Sequence, residues 1–146
     1  MLHYFTILKH EEEPFDLQEF TNFAEFHQTH RHITMDDELI QRMSNSFNWL
    51  KSEWPTEKQH PGLAYYGDSV VRGADVVQLR KIMIAWQRIF ELAPTKVRGS
   101  SYYDWKKQRV EYEIRDQKDI LVQYAAAIEL LTTACDEHRT IVYEGI

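Results

Sequence analysis

One apolar stripe between Gly73 and Pro94 places the strongest constraint on how this chain can fold. Its side chains recur every three or four residues, which puts them on one face of an α-helix. They are Val76, Leu79, Met83, Trp86, Phe90 and Ala93. Because Ile82 and Ile89 widen this stripe, we expect a central helix that is covered on more than one side.

Three further helices are predicted from the same spacing and from carboxylates placed where a helix begins. They cover about residues 16–30, 36–54 and 116–138. Asp36 or Asp37 can cap the second of these helices, and Asp116 can cap the last. Residues 31–35 are predicted to form a short break between the first two.

Strands are predicted where branched and aromatic residues gather between turn residues. They cover about residues 2–8, 62–67, 109–115 and 140–143. In the third, Val110, Tyr112 and Ile114 alternate with charged residues, so we expect these three side chains to face the core. Residues 56–61 and 99–101 are predicted to be loops.

The predicted elements follow the order β-α-α-β-α-β-α-β. Such an alternation is typical of a layered α+β fold. We therefore expect residues 1–146 to form a single α+β domain, with four helices packed on a small sheet of about four strands. A chain of 146 residues, 43% of them apolar, can bury a core without disulfides or a structural metal.

The single cysteine and the net charge narrow the possible functions. Cys135 cannot form an intramolecular disulfide, and its spacing from Ile128 and Leu131 predicts that it lies on the inner face of the last helix. The net charge of −6 disfavours direct binding to nucleic acid and favours a basic partner. The sequence has no apolar stretch of 18 residues and no signal peptide, so we expect no membrane contact and a cytoplasmic location.

Named catalytic and cofactor motifs are absent from the sequence. It contains neither of the two glycine-rich phosphate-binding motifs, G-x-x-x-x-G-K-[ST] and G-x-G-x-x-G. It also has no G-x-S-x-G nucleophile turn and no C-x-x-C pair. Sites that are assembled from distant residues leave no local pattern, so an enzyme is not excluded. The sequence nevertheless predicts a protein that is not an enzyme and has no cofactor.

A histidine cluster is the strongest candidate for a metal site. His27 and His30 are three residues apart and can share a helix face, and His32 or a distant carboxylate could supply a third ligand. Arg31, between His30 and His32, would repel a cation. Cationic side chains also suit the C-terminal end of a helix, which explains the cluster without a metal. A small metal-dependent enzyme that uses this cluster and an acid such as Asp36 remains an alternative.

Two groups of acidic residues could bind a partner. The first precedes Pro14 and the second precedes a predicted helix, so a solvated turn and helix capping account for them in structural terms. A basic partner could also bind them, because they have too few basic residues near them in the sequence to pair them all. The predicted partner-binding residues are Glu11, Glu12, Glu13, Asp36 and Asp37.

Two aromatic pairs, Tyr65-Tyr66 and Tyr102-Tyr103, lie in or near predicted strands. Side chains alternate between the two faces of a strand, so one ring of each pair should face inward and the other outward. Asp104 and Trp105 follow the second pair. Tyrosine and tryptophan are favoured at protein interfaces because they contribute a large area and a polar group.

Three segments resemble small immunity proteins of bacterial toxin–immunity pairs. They are Gly62-Leu63-Ala64-Tyr65-Tyr66-Gly67, the helix from Leu79 to Pro94 with Trp86 and Phe90, and the ending Thr140-Ile141-Val142-Tyr143-Glu144-Gly145-Ile146. The resemblance covers about the last 85 residues. It implies a non-enzymatic protein that binds and neutralises a cognate toxin.

Nuclease toxins are commonly basic, so the resemblance and the acidic charge together suggest a basic toxin, with a nuclease as one candidate class. An adaptor or structural subunit without a toxin partner is a further alternative. The sequence leaves the choice between monomer and homo-oligomer open.

Overall fold

A computed structural model describes residues 1–18 and 26–146 of the chain. The strands in these residues are Leu2–Ile7 (β1), His32–Asp36 (β2), Lys51–Trp54 (β3), Glu57–Pro61 (β4), Asp68–Val71 (β5), Lys96–Asp104 (β6), Arg109–Asp116 (β7) and Ile141–Glu144 (β8). The α-helices are Phe26–Thr29 (α1), Asp37–Phe47 (α2), Ala74–Glu91 (α3) and Gln117–Asp136 (α4), and a 3₁₀ turn covers His10–Glu12.

Six strands form one sheet in the order β2-β1-β8-β5-β3-β4, with each neighbouring pair antiparallel. The remaining two, β6 and β7, pair only with each other among the described residues. The predicted α+β class is confirmed. The expected sheet of about four strands and the expected element order are wrong, because the described residues contain eight strands.

Three of the additional strands lie where a break, a helix or a loop was expected. The predicted break at 31–35 is largely β2. The second helix ends at Phe47 rather than at Trp54, and β3 follows it. The predicted loop at 56–61 is β4, an edge strand whose side chains are mostly exposed. Such a strand lacks the apolar alternation that identifies strands in a sequence, because neither of its faces is buried.

The segment between Gly62 and Gly67, predicted to be a strand, is a loop, and β5 begins only at Asp68. The two glycines have φ angles of +88° and +119°. These values lie outside the extended region and suit glycine because it has no Cβ. The aromatic residues of this segment therefore pack from a loop and not from a strand.

Helices α2, α3 and α4 pack on one face of the six-stranded sheet around a large apolar core. A smaller cluster lies on the opposite face and consists of Leu8, Phe15, Leu17, Phe26, Val70 and Val142. The predicted first helix at residues 16–30 is described in part. Leu17 and Gln18 form a turn, Phe26–Thr29 are helical, and residues 19–25 lie outside the described residues.

Helices α3 and α4 lie close to their predicted positions. Gly73 directly precedes α3, and α4 ends at Asp136. Cys135 lies half-buried against the core, on the predicted face. Ile82 is buried, but Ile89 is 53% exposed, so the expectation that α3 would be covered on more than one side is wrong at this position. No helix within the described ranges has both the length and the apolar character needed to cross a bilayer.

Candidate protein-binding surface

The β6–β7 hairpin stands apart from the six-stranded sheet and presents one face to solvent. Its register places Tyr103 opposite Val110, Ser101 opposite Tyr112, and Arg98 opposite Ile114. Residues that lie directly opposite each other in an antiparallel pair project to the same side. These six side chains therefore share one face of the hairpin.

The apolar residues on this face are exposed. The exposed fractions are 54% for Val110, 38% for Tyr112, 60% for Ile114 and 45% for Tyr103. The expectation that the apolar residues of this strand face the core is wrong. The alternating pattern identified the strand correctly, but a pattern of period two does not say which of its two faces is covered.

We define the outer hairpin face by the exposed apolar row and by the residues that extend it at either end. Its members are Arg98, Tyr103, Trp105, Val110, Tyr112 and Ile114. Trp105 lies at the turn and packs edge-on against Tyr103, with their ring centroids 4.7 Å apart. At the other end, the Arg98 guanidinium lies 3.1 Å from the centroid of the Tyr112 ring, which is a cation–π contact.

A register shift between Arg98 and Ser101 bends strand β6 where a loop was predicted. Residues 99–101 are therefore part of a strand, and that prediction is wrong. A Cβ atom added at Gly99 would lie 2.7 Å from the Glu38 Oε2 atom of α2. A side chain here would therefore displace the Glu38 carboxylate, because the inner face of the hairpin approaches α2 closely.

Charged groups hold the inner face of the hairpin to the body of the protein. Arg115 donates to Asp36, and its Nε lies 3.3 Å from Glu38 Oε2. The Arg42 guanidinium donates to the backbone carbonyl of Arg98 at 3.1 Å. Asp36 and Glu38 belong to β2 and α2, so these contacts fix the hairpin against two elements of the main fold. These contacts therefore hold the hairpin, and with it the outer face, in a fixed position on the protein.

Two of the predicted partner-binding residues, Asp36 and Asp37, are engaged within the protein. The Asp36 carboxylate accepts from Arg115 and from Gln123 at 2.7 Å. It occupies the position that caps α2, but its side chain makes no capping hydrogen bond. Asp37 accepts from Tyr65 and lies 3.1 Å from His3 Nε2. Burial raises the pKa of Asp37, but the hydrogen bonds from Tyr65 and His3 outweigh it and lower the pKa overall.

The predicted residues Glu11, Glu12 and Glu13 lie at the other end of β1. Glu12 lies 2.7 Å from His30 Nε2, and Glu13 accepts from Arg72 at 3.1 Å. Glu11 is exposed and has no polar partner among the described residues. The strand β1 separates the two acidic groups by about 17 Å, so the structure does not bring the five residues into one patch.

The three histidines of the predicted cluster do not converge on one point, although the His27 and His32 ring centroids lie 5.5 Å apart. His27 Nδ1 lies 3.2 Å from Glu144 Oε2, at an angle outside the hydrogen-bonding range, whereas His30 contacts Glu12. His32 Nδ1 lies 3.1 Å from the backbone carbonyl of His30. Within residues 1–18 and 26–146, no three histidine, cysteine or acidic side chains gather in a way that could hold a metal ion.

The tyrosine pairs gave a partial signal of the exposed surface. Tyr66 is exposed and Tyr65 is half-buried, which is the expected outcome, but these residues lie in a loop, so strand alternation is not its cause. Tyr102 and Tyr103 are both exposed, so the expectation of one inward ring is wrong for that pair. The end of the hairpin extends beyond the body, and both of its faces reach solvent there. A second signal was that the aromatic residues Tyr102, Tyr103 and Trp105 directly precede a polar run at 106–108.

No protein-family model, curated protein or solved structure matches this chain. The resemblance to immunity proteins therefore stays a prediction.

Proposed function

We propose that this chain is a non-enzymatic immunity protein that binds and neutralises a cognate toxin through the outer hairpin face. The observation that supports this proposal best is the exposed row of Tyr103, Val110, Tyr112 and Ile114 on one side of a strand pair. Contiguous apolar surface of this kind commonly marks a binding site, because exposing it to water has a free-energy cost that a partner removes.

The residue types suit a protein partner. Tyr103, Tyr112 and Trp105 are of the types that most often dominate the binding energy of protein interfaces. Val110 and Ile114 lie among them and add aliphatic area. Rings of this kind lose little conformational entropy on binding because they have only two side-chain torsions.

The support of the surface also favours tight binding. Arg115 and Arg42 hold the hairpin to β2 and α2 before any partner arrives. A surface that is already ordered in the free protein does not have to be ordered at the time of binding, so more of the contact energy appears as affinity.

Growth rescue tests the immunity proposal directly. The C-terminal region of the larger gene that precedes this one in its native genome would be expressed in a bacterial host, alone and with the present chain. An immunity protein should restore growth that the neighbour inhibits, and should co-purify with it in a stoichiometric complex. A harmless neighbour that still binds would indicate an adaptor or structural subunit instead.

Matched substitutions test the surface. Tyr103→Ser and Trp105→Ser should each weaken binding by at least tenfold, as expected when an interface aromatic is removed. Tyr66→Ser and Trp49→Ser change the same residue types at exposed positions outside the hairpin and should leave binding unchanged. If Tyr103→Ser and Trp105→Ser bind the toxin as tightly as the wild type, the hairpin is not the binding surface. Stoichiometric metal in the purified protein would instead favour the metal-dependent enzyme.

A further inference from the structure

The hairpin differs in charge from the rest of the chain. Residues 96–116 contain six basic and four acidic side chains, whereas the whole chain has 17 basic and 23 acidic residues. The exposed apolar face is therefore carried by the basic part of an acidic protein. A partner that binds this face therefore meets a local positive charge, although the net charge of the whole chain is negative.

Every carboxylate of the hairpin has a basic partner. Glu111 accepts from Arg109 at 2.7 Å and from Lys107 at 3.1 Å, and Asp104 lies 3.6 Å from Lys107 Nζ. The other two pairs are Glu113 with Arg115 at 3.5 Å and Asp116 with Lys96 at 2.6 Å. The acids of the hairpin are thus compensated within the protein.

Two cations of the hairpin have no carboxylate partner among the described residues. Arg98 lies on the outer hairpin face opposite Ile114, where its guanidinium stacks on Tyr112. Lys106 follows Trp105 in the turn at the tip. They mark the two ends of the apolar row, which are about 20 Å apart along the strands.

From this arrangement we infer that the outer hairpin face binds a protein surface that is apolar at its centre and carries a carboxylate at each end. One carboxylate meets Arg98 and the other meets Lys106. This inference rests on the proposed function, whose partner it describes. The net charge of the partner does not determine this contact, because only the charged groups near the interface contribute strongly at physiological salt.

The same features favour a different protein as the partner over a second copy of this chain and over a nucleic acid. A second copy of the chain docked face to face would bring Arg98 and Lys106 near their own kind, which is unfavourable. A single-stranded nucleic acid would stack on aromatic rings, but Val110 and Ile114 occupy half of the exposed row and offer no stacking surface.

Two synthetic helical peptides of about 18 residues serve as probes for the full chain. Both carry the same leucine stripe, and one has glutamate at each end of the stripe where the other has lysine. Four helical turns span about 21 Å, which matches the row. Calorimetry gives the affinities, and the NMR signals of the Trp105 and Trp49 indoles report the site of binding.

The glutamate peptide should bind about tenfold more tightly than the lysine peptide, the size expected for two exposed ion pairs. The Trp105 signal should shift and the Trp49 signal should not. The double variant Arg98→Glu with Lys106→Glu should reverse the preference, and Lys81→Glu on α3, with the same change of charge per site, should keep it. Equal affinities, a preference that survives the double variant, or a shift at Trp49 alone would overturn the inference.

Failure of this inference is distinguishable from failure of the proposed function. If the serine variants abolish growth rescue but the Arg98 and Lys106 reversals leave it intact, the hairpin still binds the toxin and the expected carboxylates are absent. If the neighbouring gene product is harmless, the immunity proposal fails, and the peptide preference remains measurable. A chain that dimerises through the hairpin, or an oligonucleotide that displaces the glutamate peptide, would contradict the inference itself.

Discussion

Glu144 on β8 lies directly opposite Asp68 on β5, so two carboxylates face each other across adjacent strands. Glu144 is only 6% exposed, and neither of its carboxylate oxygens has a hydrogen-bond partner among the described residues. Burial raises the pKa of Asp68 to about 6. Burial, with a smaller contribution from Asp68, raises the pKa of Glu144 to about 7.

This pair predicts that the protein loses stability as the pH rises from 5 to 8. A carboxyl whose pKa is raised in the folded state is stabilising while it stays protonated, and this contribution is lost as the pH passes through the raised value. For Glu144 the loss is about 3 kcal/mol in the free energy of unfolding. Glu144→Gln should be more stable than the wild type at pH 8 and about equal to it at pH 5, as measured by urea denaturation.

Comparison with the wild type at each pH separates this effect from that of His3, which is present in both proteins, but not from the contact between Glu144 and His27. His27 Nδ1 lies 3.2 Å from Glu144, so the same comparison in a His27→Gln background measures the share of that contact. Burial lowers the pKa of His3, so protonation of the unfolded state opposes folding below about pH 6.5, and this also occurs in both. Glu129→Gln, a change at an exposed acid, serves as the control. A wild-type advantage at pH 8 would contradict the prediction.

Gly145→Ala should destabilise the protein by about 2 kcal/mol. A Cβ at this position would lie 2.6 Å from the carbonyl oxygen of Ala64 and 2.7 Å from that of Gly67, and closer still to that of Tyr65. These atoms belong to the backbone and cannot rotate away. Gly73→Ala is the comparison, because it meets no atom within 4 Å and costs only the strain of its φ of +53°. Thermal denaturation should rank Gly145→Ala as the more damaging change.

Arg115→Met should loosen the hairpin without unfolding the protein. The change removes the cation that Asp36, Glu38 and Glu113 share and leaves the partly buried carboxylates of Asp36 and Glu38 near each other and near the exposed Glu113. Amide hydrogen exchange in β6 and β7 should accelerate relative to β1 and β8. Lys96→Met, which breaks an exposed pair with Asp116, should have little effect. Unchanged exchange in the hairpin would show that other contacts hold it.

The acidic residues predicted from the sequence to bind a partner can be tested one by one. If a basic toxin contacts them, Glu11→Lys should slow association and weaken its dependence on salt, because Glu11 is exposed and unpaired among the described residues. Glu12→Gln and Asp36→Asn should act mainly through stability, since they remove contacts to His30 and Arg115. Stopped-flow association rates and melting temperatures separate the two effects. Equal rates for Glu11→Lys and the wild type would exclude Glu11 from the interface.

The positions of α3 and α4 could be predicted because long apolar stripes with clear ends encode them locally. For α3, the apolar spacing from Val76 to Phe90 indicates a helix, and the flanking Gly73 and Pro94 indicate where it begins and ends. The strands β2, β3 and β4 could not be predicted in the same way. They are short, and edge strands such as β4 bury few side chains, so their hydrogen-bonding partners from distant parts of the chain define them.

The same distinction applies to the candidate surface. The sequence by itself determined that Val110, Tyr112 and Ile114 share one side of a strand, because side chains alternate along an extended backbone. Only the tertiary structure decided that this side faces solvent. Arg115 on the opposite side is drawn to Asp36 and Glu38, which are 79 and 77 positions away in the sequence. A local pattern carries no information about such distant ion pairs, and they settle which face of the hairpin meets the body of the protein and which is left free.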